Sequence, residues 1–277
     1  MGHLDDEHDD DRPVGRLLGR RDVMKLLGAG GAAALIAPLP SGISWPVGAL
    51  PSCVARPELE EGPYFVPDML KRADIRTDSA TGVVTPGVPL ALAFNVSQLS
   101  SGACAPLAGA TVDVWQCNAA GQYSGFSDPR QGFETTSQTF LRGVLATDAK
   151  GQAAFSTIYP GWYRGRAVHI HVKIRTTGPS GAYEFTTQMF FDESLTDAVH
   201  ALPPYAANGP RDMTNARDRI FQSGDKTVLD VSKRGDGYAA TFDIALDLSD
   251  LAAGRPDGRG GPGRFGRGRG RGRGARA

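Results

Sequence analysis

Cysteine, net charge and long apolar runs are all scarce in this 277-residue sequence. Three cysteines are too few for a small disulfide-built scaffold. No apolar run reaches the roughly 20 residues that cross a bilayer as a helix, which argues against stable membrane insertion. Helix-period patterns are also sparse: only Leu195–His200 and Met213–Gln222 read as helical. Zero net charge excludes no class of partner, because it averages unlike parts. Six acids (Asp5, Asp6, Glu7, Asp9, Asp10, Asp11) crowd the first twelve residues, and eight arginines against one aspartate follow Ala252. What is present is enough apolar material, 40% of residues, for one large β domain or two small ones.

The two ends read differently from the middle. In "GRRDVMKLLGAGGAAALIAP" the pair Arg20 and Arg21 precedes Lys25 and an apolar run from Leu26 to Ala37 that ends at Pro38. This resembles a twin-arginine export signal, rather than a chance Arg pair before a buried helix, since Gly/Ala-rich sequence is a poor globular helix. The expectation is an exported protein, periplasmic or extracellular, with residues 1–50 as signal and linker. "LPSC" before Val54 fits a lipid-attachment site badly. Residues 251–277, with their repeated Arg-Gly, cannot bury apolar surface and are expected to be disordered. Such a tail attracts anionic surfaces by charge, with no specific nucleic-acid partner implied. In an exported chain, three cysteines allow one disulfide and one free thiol, and the sequence leaves the pairing open.

Between them, residues 51–250 form the expected folded domain. From Val88 onward, short alternating runs are broken by Gly, Pro, Asn and Asp, which predicts an all-β antiparallel sandwich with minor helices rather than βαβ units. The predicted strands are Val88–Ser97, Ala110–Gln116, Phe140–Thr147, Ala153–Ile158, Arg166–Arg175, Tyr183–Phe191, Lys226–Val231 and Tyr238–Leu246.

The run "GWYRGRAVHIHVKI" concentrates the chemistry. Strand side chains alternate between faces, so Val168, Ile170, Val172 and Ile174 share one face and His169, His171, Lys173 and Arg175 the other. Two imidazoles two residues apart on one strand face can both reach a metal in front of the sheet, although His-x-His also occurs on solvated faces. Tyr163, six residues before His169, follows an expected Pro160–Gly161 turn in "YPGWY"; Tyr123 follows an Asn/Gly turn past another strand end. A phenol with a pKa near ~10 ionises at neutral pH only against a strong Lewis acid. Two phenolates with two imidazoles therefore favour Fe(III) over zinc.

"DVWQCNAAGQYSGF", "FLRGVLATDAKGQAAF", "TIYPGWY", "AVHIHVKI" and the upstream "EGPYFVPD" together resemble the non-haem ferric intradiol catechol dioxygenases, over about Cys53 to Phe191. The resemblance implies a prealbumin-like β-sandwich that inserts both atoms of O2 into catechol-type small molecules to give cis,cis-muconate-type products. It implies Tyr123 and His169 as equatorial ligands of a non-haem Fe(III), with Tyr163 and His171 axial. It further implies that Arg166 stabilises negative charge on the substrate and that Gln188 orients substrate and O2. This chain differs from the better-known members in the short stretch "RGRAV" between Tyr163 and His169, in lacking a long helical dimerisation segment, and in its export-type start. It is similar to the secreted branch of the family, for which larger, plant- or lignin-derived phenols would be substrates. A short loop predicts an open site rimmed by Arg166 and "EGPYFVP", unless Glu193 to Pro210 closes it. The oligomeric state is left open.

A rival from another class is a non-catalytic prealbumin-like binding module, in which "PGWY" only packs a corner. His-x-His together with Tyr123 distinguishes the two, since a module does not need them. Trp115 and Trp162 read as packing residues, Cys117 as a disulfide partner or buried thiol, and His200, His3 and His8 carry no assigned role.

Overall fold

Ile170, Val172 and Ile174 are fully buried on one face of strand β8 (His169–Gly178), and His169, His171 and Lys173 are buried on the other. Both faces of this strand are therefore covered, and what covers them defines the architecture. The computed structural model describes residues 53–250 apart from 68, 69, 101, 102 and 224–226; the signal assigned to 1–50 and the tail assigned to 251–277 lie outside the described residues.

β8 is an inner strand of a four-stranded antiparallel sheet in the order β6 (Arg142–Ala146), β3 (Thr111–Trp115), β8, β9 (Gly181–Phe190). The facing sheet is built on β1 (Pro89–Ser100). One edge of β1 pairs with β11 (Gly237–Leu246), which pairs in turn with β10 (Val231–Arg234). The other edge pairs with β7 (Gln152–Ile158) and β2 (Ala103–Pro106). Leu92, Phe94, Val96, Phe155, Phe242 and Ile244 of this sheet meet Val112, Val114, Ile170, Val172, Ile174, Phe185 and Met189 of the first in one core. Each such side chain contributes about 1.5–3 kcal/mol on leaving water. The all-β sandwich is as expected, with one strand pair of opposite sense: β1 and β11 run parallel, Leu90 opposite Tyr238 through Gln98 opposite Leu246. A short hairpin, β4 (Ser127–Asp128) with β5 (Phe133–Glu134), and two short helices, α1 (Glu193–His200) and α2 (Arg219–Ser223), complete the regular elements used below.

Three sequence-based boundaries need correction. The strand expected at Lys226–Val231 begins only at Val231; before it, Leu229 turns into the core and the main chain bonds Phe190 instead. The helix expected at Met213–Gln222 is broken into a 3-10 turn at Asn215–Arg217 and α2, because Asp218 between them is extended (φ −76°, ψ 118°). β8 starts at His169 rather than Arg166, since Arg166 and Ala167 are held in irregular backbone by Asp218.

The outer face of the β8 sheet is covered by the strap Cys53–Val66, which crosses from one sheet to the other. At its start Cys53 is disulfide-bonded to Cys104, Ala245 N donates to Val54 O (2.8 Å) and Arg56 Nε donates to Asp243 O (3.0 Å). Further along, Leu59 N donates to Thr186 O (2.9 Å) and Gln188 Nε2 to Glu60 O (3.0 Å). Lys173, buried beneath it, pairs with Glu61 and lies 4.6 Å from the Phe65 ring centroid.

Candidate active site

Two loops carry the tyrosines. The first leaves β3 at Trp115; Asn118 Oδ1 accepts from the amides of Ala120 and Gln122 (3.0 Å each), an Asx turn that needs Gly121 at φ 78°. It ends on Tyr123, whose carbonyl accepts from Thr135 Oγ1 at 2.5 Å, with the next carbonyl, of Ser124, held by the Arg142 guanidinium. The second loop runs from Tyr159 to Tyr163, and its turn lies at Arg164–Gly165, not at the Pro160–Gly161 expected from sequence. The two loops touch backbone to backbone. A Cβ on Gly121 would come within 2.1 Å of Trp162 O, and one on Gly161 within 2.3 Å of Asn118 O.

These loops and β8 bring all four candidate ligands together. His169 Nε2 lies 3.0 Å from His171 Nε2 and 3.3 Å from Tyr163 Oη. The Tyr123 and Tyr163 rings meet edge to face at 5.5 Å, and Tyr123 meets His171 at 6.0 Å. His169 Nδ1 donates to Ala167 O at 2.6 Å, which leaves Nε2 with its lone pair directed at the other donors. The His171 ring is stacked on Trp115, and the Tyr123 ring on Tyr64 at 4.3 Å. Tyr64 in turn donates to Asp128 Oδ2 of the β4–β5 hairpin at 2.5 Å.

Burial dominates the electrostatics. It pushes both imidazoles well below their ordinary range, helped by the nearby Arg166 guanidinium, so both are neutral at pH 7. It also pushes both phenols up, and Arg166 works against that shift. The thiol of Cys117, buried near the tyrosines with Sγ 3.5 Å from Gly161 O, is raised to about 12 by burial; it is free and neutral, not a ligand candidate. Tyr123 Oη and His171 Nδ1 are buried without a hydrogen-bond partner. A multiply charged cation among these atoms would give Tyr123 Oη its missing partner and offset the desolvation that disfavours a phenolate. The donor set therefore fits a hard metal ion. Among the described residues, no cluster of three or more His, Cys, Asp or Glu offers a competing site.

Arg166 and Gln188 are also in place. Gln188 sits opposite His171 on β9; its Oε1 accepts from Arg166 Nη2 at 2.5 Å while its amide nitrogen is held by Glu60 O. Arg166 is buried, not a surface ion-pair partner, and its Nε donates to Asp218 Oδ2 at 3.0 Å. Sequence reasoning missed Asp218, Tyr64 as a ring support, and Glu60. Only the Asp before a short apolar run, a capping signal, pointed to Asp218. Tyr123, His169 and His171 are 0%, 2% and 1% exposed; the strap reaches Tyr123 through the stacked Tyr64 ring and His171 at Gly62, where a Cβ would lie 3.3 Å from the imidazole. Tyr163 is the partly exposed donor and marks the way in. His200, Trp162 and Trp115 pack: His200 on Tyr205, Trp162 through Nε1 to Gly209 O, Trp115 on His171.

A two-sheet sandwich presenting two neutral imidazoles, one buried phenol and one partly exposed phenol defines a class of β-sandwich proteins with a His2Tyr2 donor set. The family model described as dioxygenase matches residues 60–247, and the chain belongs to the intradiol ring-cleavage dioxygenase family. That family uses non-haem iron. Among solved structures, an intradiol ring-cleavage dioxygenase from Tetranychus urticae is 29% identical, with a TM-score of 0.60 over 71% of this chain and 96% of that one. The dioxygenase domain of a dioxygenase carbohydrate-binding protein fusion from Streptomyces sp. SirexAA-E is 32% identical, with a TM-score of 0.50 over 70% and 99%. The protocatechuate 3,4-dioxygenase beta chain of Burkholderia cepacia is 32% identical over 149 residues, 51% of this chain and 58% of that protein. The chain spans about half the length of the curated relatives it matches.

Proposed function

We propose that this chain is an Fe(III)-dependent intradiol dioxygenase acting on catechol-type aromatics, larger plant- or lignin-derived phenols among them. The observation that carries the reading is the convergence of His169 Nε2, His171 Nε2 and Tyr163 Oη beside the partnerless, buried Tyr123 Oη. In the overall reaction the bond between the two hydroxylated ring carbons breaks. Each of those carbons gains one atom of O2, and the product is a cis,cis-muconate-type diacid. Tyr123, Tyr163, His169 and His171 would hold the ferric ion, which when bound supplies the Lewis acidity that ionises the phenols and activates a catecholate toward O2.

The protein's own residues do the rest. Tyr163, the donor nearest solvent, is the group whose phenolate oxygen takes a proton from an incoming catechol hydroxyl. Arg166, held by Asp218 and Gln188, presents positive charge where the substrate becomes anionic. Gln188, its amide orientation set by Arg166 on one side and Glu60 on the other, orients substrate. The strap excludes water above the histidines. In the same reading the enzyme works outside the cytoplasm, which the Arg20–Arg21 pair and the following apolar run support.

Oxygen uptake by the iron-loaded protein, across a panel from catechol to bulky 4-substituted catechols, tests the proposal. One O2 consumed per catechol, with a product heavier by two oxygen atoms, is expected. Absence of uptake with every catechol, or the yellow semialdehyde of cleavage beside the hydroxylated carbons, would sink it.

A further inference from the structure

Asp218 is a buried carboxylate (2% exposed) that the proposed chemistry does not use directly, and its two oxygens serve different masters. Oδ1 accepts from the amides of Ile220 (2.8 Å) and Phe221 (3.3 Å), which is the ordinary cap of α2. Oδ2 accepts from Arg166 Nε (3.0 Å) and from the amide of Ala167 (2.7 Å). The second pair is not needed for capping. Each of its members is one bond away from the site: Arg166 donates onward to Gln188, and the carbonyl of Ala167 takes the Nδ1 proton of His169. A single carboxylate oxygen thus sets where the guanidinium stands relative to the imidazole.

We propose that Asp218 is a positioning residue of the site, holding Arg166 and the Ala167 peptide in the one arrangement that aims the guanidinium beside His169. The reason is geometric. The carboxylate, Arg166 and Gln188 form a buried relay whose far end, the amide of Gln188, is closed by Glu60 O, so the guanidinium is held at both ends. Charge-assisted bonds to a buried carboxylate are the strong kind, and losing one loosens the hold on the long Arg side chain. The kinetic part of this inference rests on the catechol oxidation proposed above. The positional part does not.

The test uses Asp218→Asn, which keeps a good capping side chain for α2 but loses the anion that holds Arg166. Because a buried guanidinium left without its carboxylate can destabilise the fold, Arg166→Gln and the double variant Arg166→Gln/Asp218→Asn are made alongside. In the full-length protein labelled with 15N-arginine, the Arg166 Nε–H proton of the wild type is expected to be shielded from exchange, with or without iron. In Asp218→Asn it is expected to exchange at least tenfold faster, while the amides of Ile220 and Phe221 stay protected. Asp218→Asn should retain iron and lose about tenfold or more in kcat/KM for catechol, a change equivalent to about 1.4 kcal/mol. Adding it to Arg166→Gln should cost no more than about a further twofold, because it acts through the residue already removed.

A merely structural Asp218 would lower the urea midpoint of unfolding yet leave the Arg166 proton shielded and kcat/KM of the folded enzyme intact, and that result overturns the inference. So would losses that multiply in the double variant. A wild-type protein inactive toward every catechol would sink the proposed activity instead, and the Arg166 proton would then decide this inference by itself.

Discussion

The rings of Trp115 and His171 lie 4.8 Å apart and 8° from parallel, and the polar atoms Trp115 Nε1 and His171 Nδ1 are both buried without a hydrogen-bond partner. On the Nδ1 side, stacking rather than a hydrogen bond thus orients this imidazole. Trp115→Ala should cost about 3–5 kcal/mol in urea unfolding and release iron, whereas Trp115→Phe keeps an aromatic face and should retain most of it. Full iron content in the Ala variant by elemental analysis would show that the stack is dispensable.

The four candidate ligands should not contribute equally. His169→Ala and His171→Ala remove buried, strand-borne donors and are expected to abolish iron retention. Tyr163→Phe removes the one partly exposed donor, and should keep part of the iron while shifting the visible tyrosinate band and losing most activity. Equal iron in the wild type and both histidine variants would refute the assignment.

Gly121 is irreplaceable for two reasons that add: its φ of 78° and the 2.1 Å a Cβ would leave to Trp162 O. Gly121→Ala should destabilise by more than about 1 kcal/mol and separate the two tyrosine loops, so the visible band should weaken even in protein that remains folded. An unchanged spectrum and melting temperature would contradict the docking of these loops.

Asp113, on β3, is raised from its ordinary range to about 6 by burial, against the pull of Arg175 at 2.8 Å. A carboxyl whose folded pKa is raised holds its proton more tightly in the folded state. Its contribution is therefore fully present below about pH 4 and lost as pH rises through 6, at about 1.4 kcal/mol per unit. Asp113→Asn removes this dependence. The stability of the variant relative to wild type should rise by about 2–3 kcal/mol between pH 4 and pH 7, as read from urea midpoints; a flat difference would refute it.

Much of this was legible in the sequence, for identifiable reasons. β8 announced itself because apolar Val168, Ile170, Val172 and Ile174 alternate with residues of another kind, and the four candidate ligands because His-x-His stands with Tyr123 and Tyr163 inside motifs that resemble one family. The strap was not legible as a cover: residues 57–66 lack periodicity, and their main-chain bonds to Thr186 and Gln188 leave no trace in side-chain pattern. The short strands β2, β4 and β5 were missed because two to four residues cannot display an alternation. Asp218 was hidden for the opposite reason. It looks like an ordinary helix cap, and only the fold reveals that its second oxygen faces Arg166, 52 positions away in the chain. The parallel pairing of β1 with β11 joins strands far apart in sequence and has no local signature at all.

Gln188 bonds Glu60 across 128 residues of chain, and Arg166 waits on Asp218, so the site gathers its parts from both ends of the domain. A ribosome that has delivered the strap, the tyrosine loops and β8 has still not delivered the carboxylate that steadies the guanidinium. The nascent chain can collapse around its apolar strands, yet the pocket stays unfinished until the residues near 218 emerge. Fixing the Arg166 guanidinium is therefore a late event in the life of this molecule, set by the emergence of the Asp218 segment rather than by the folding of any one sheet.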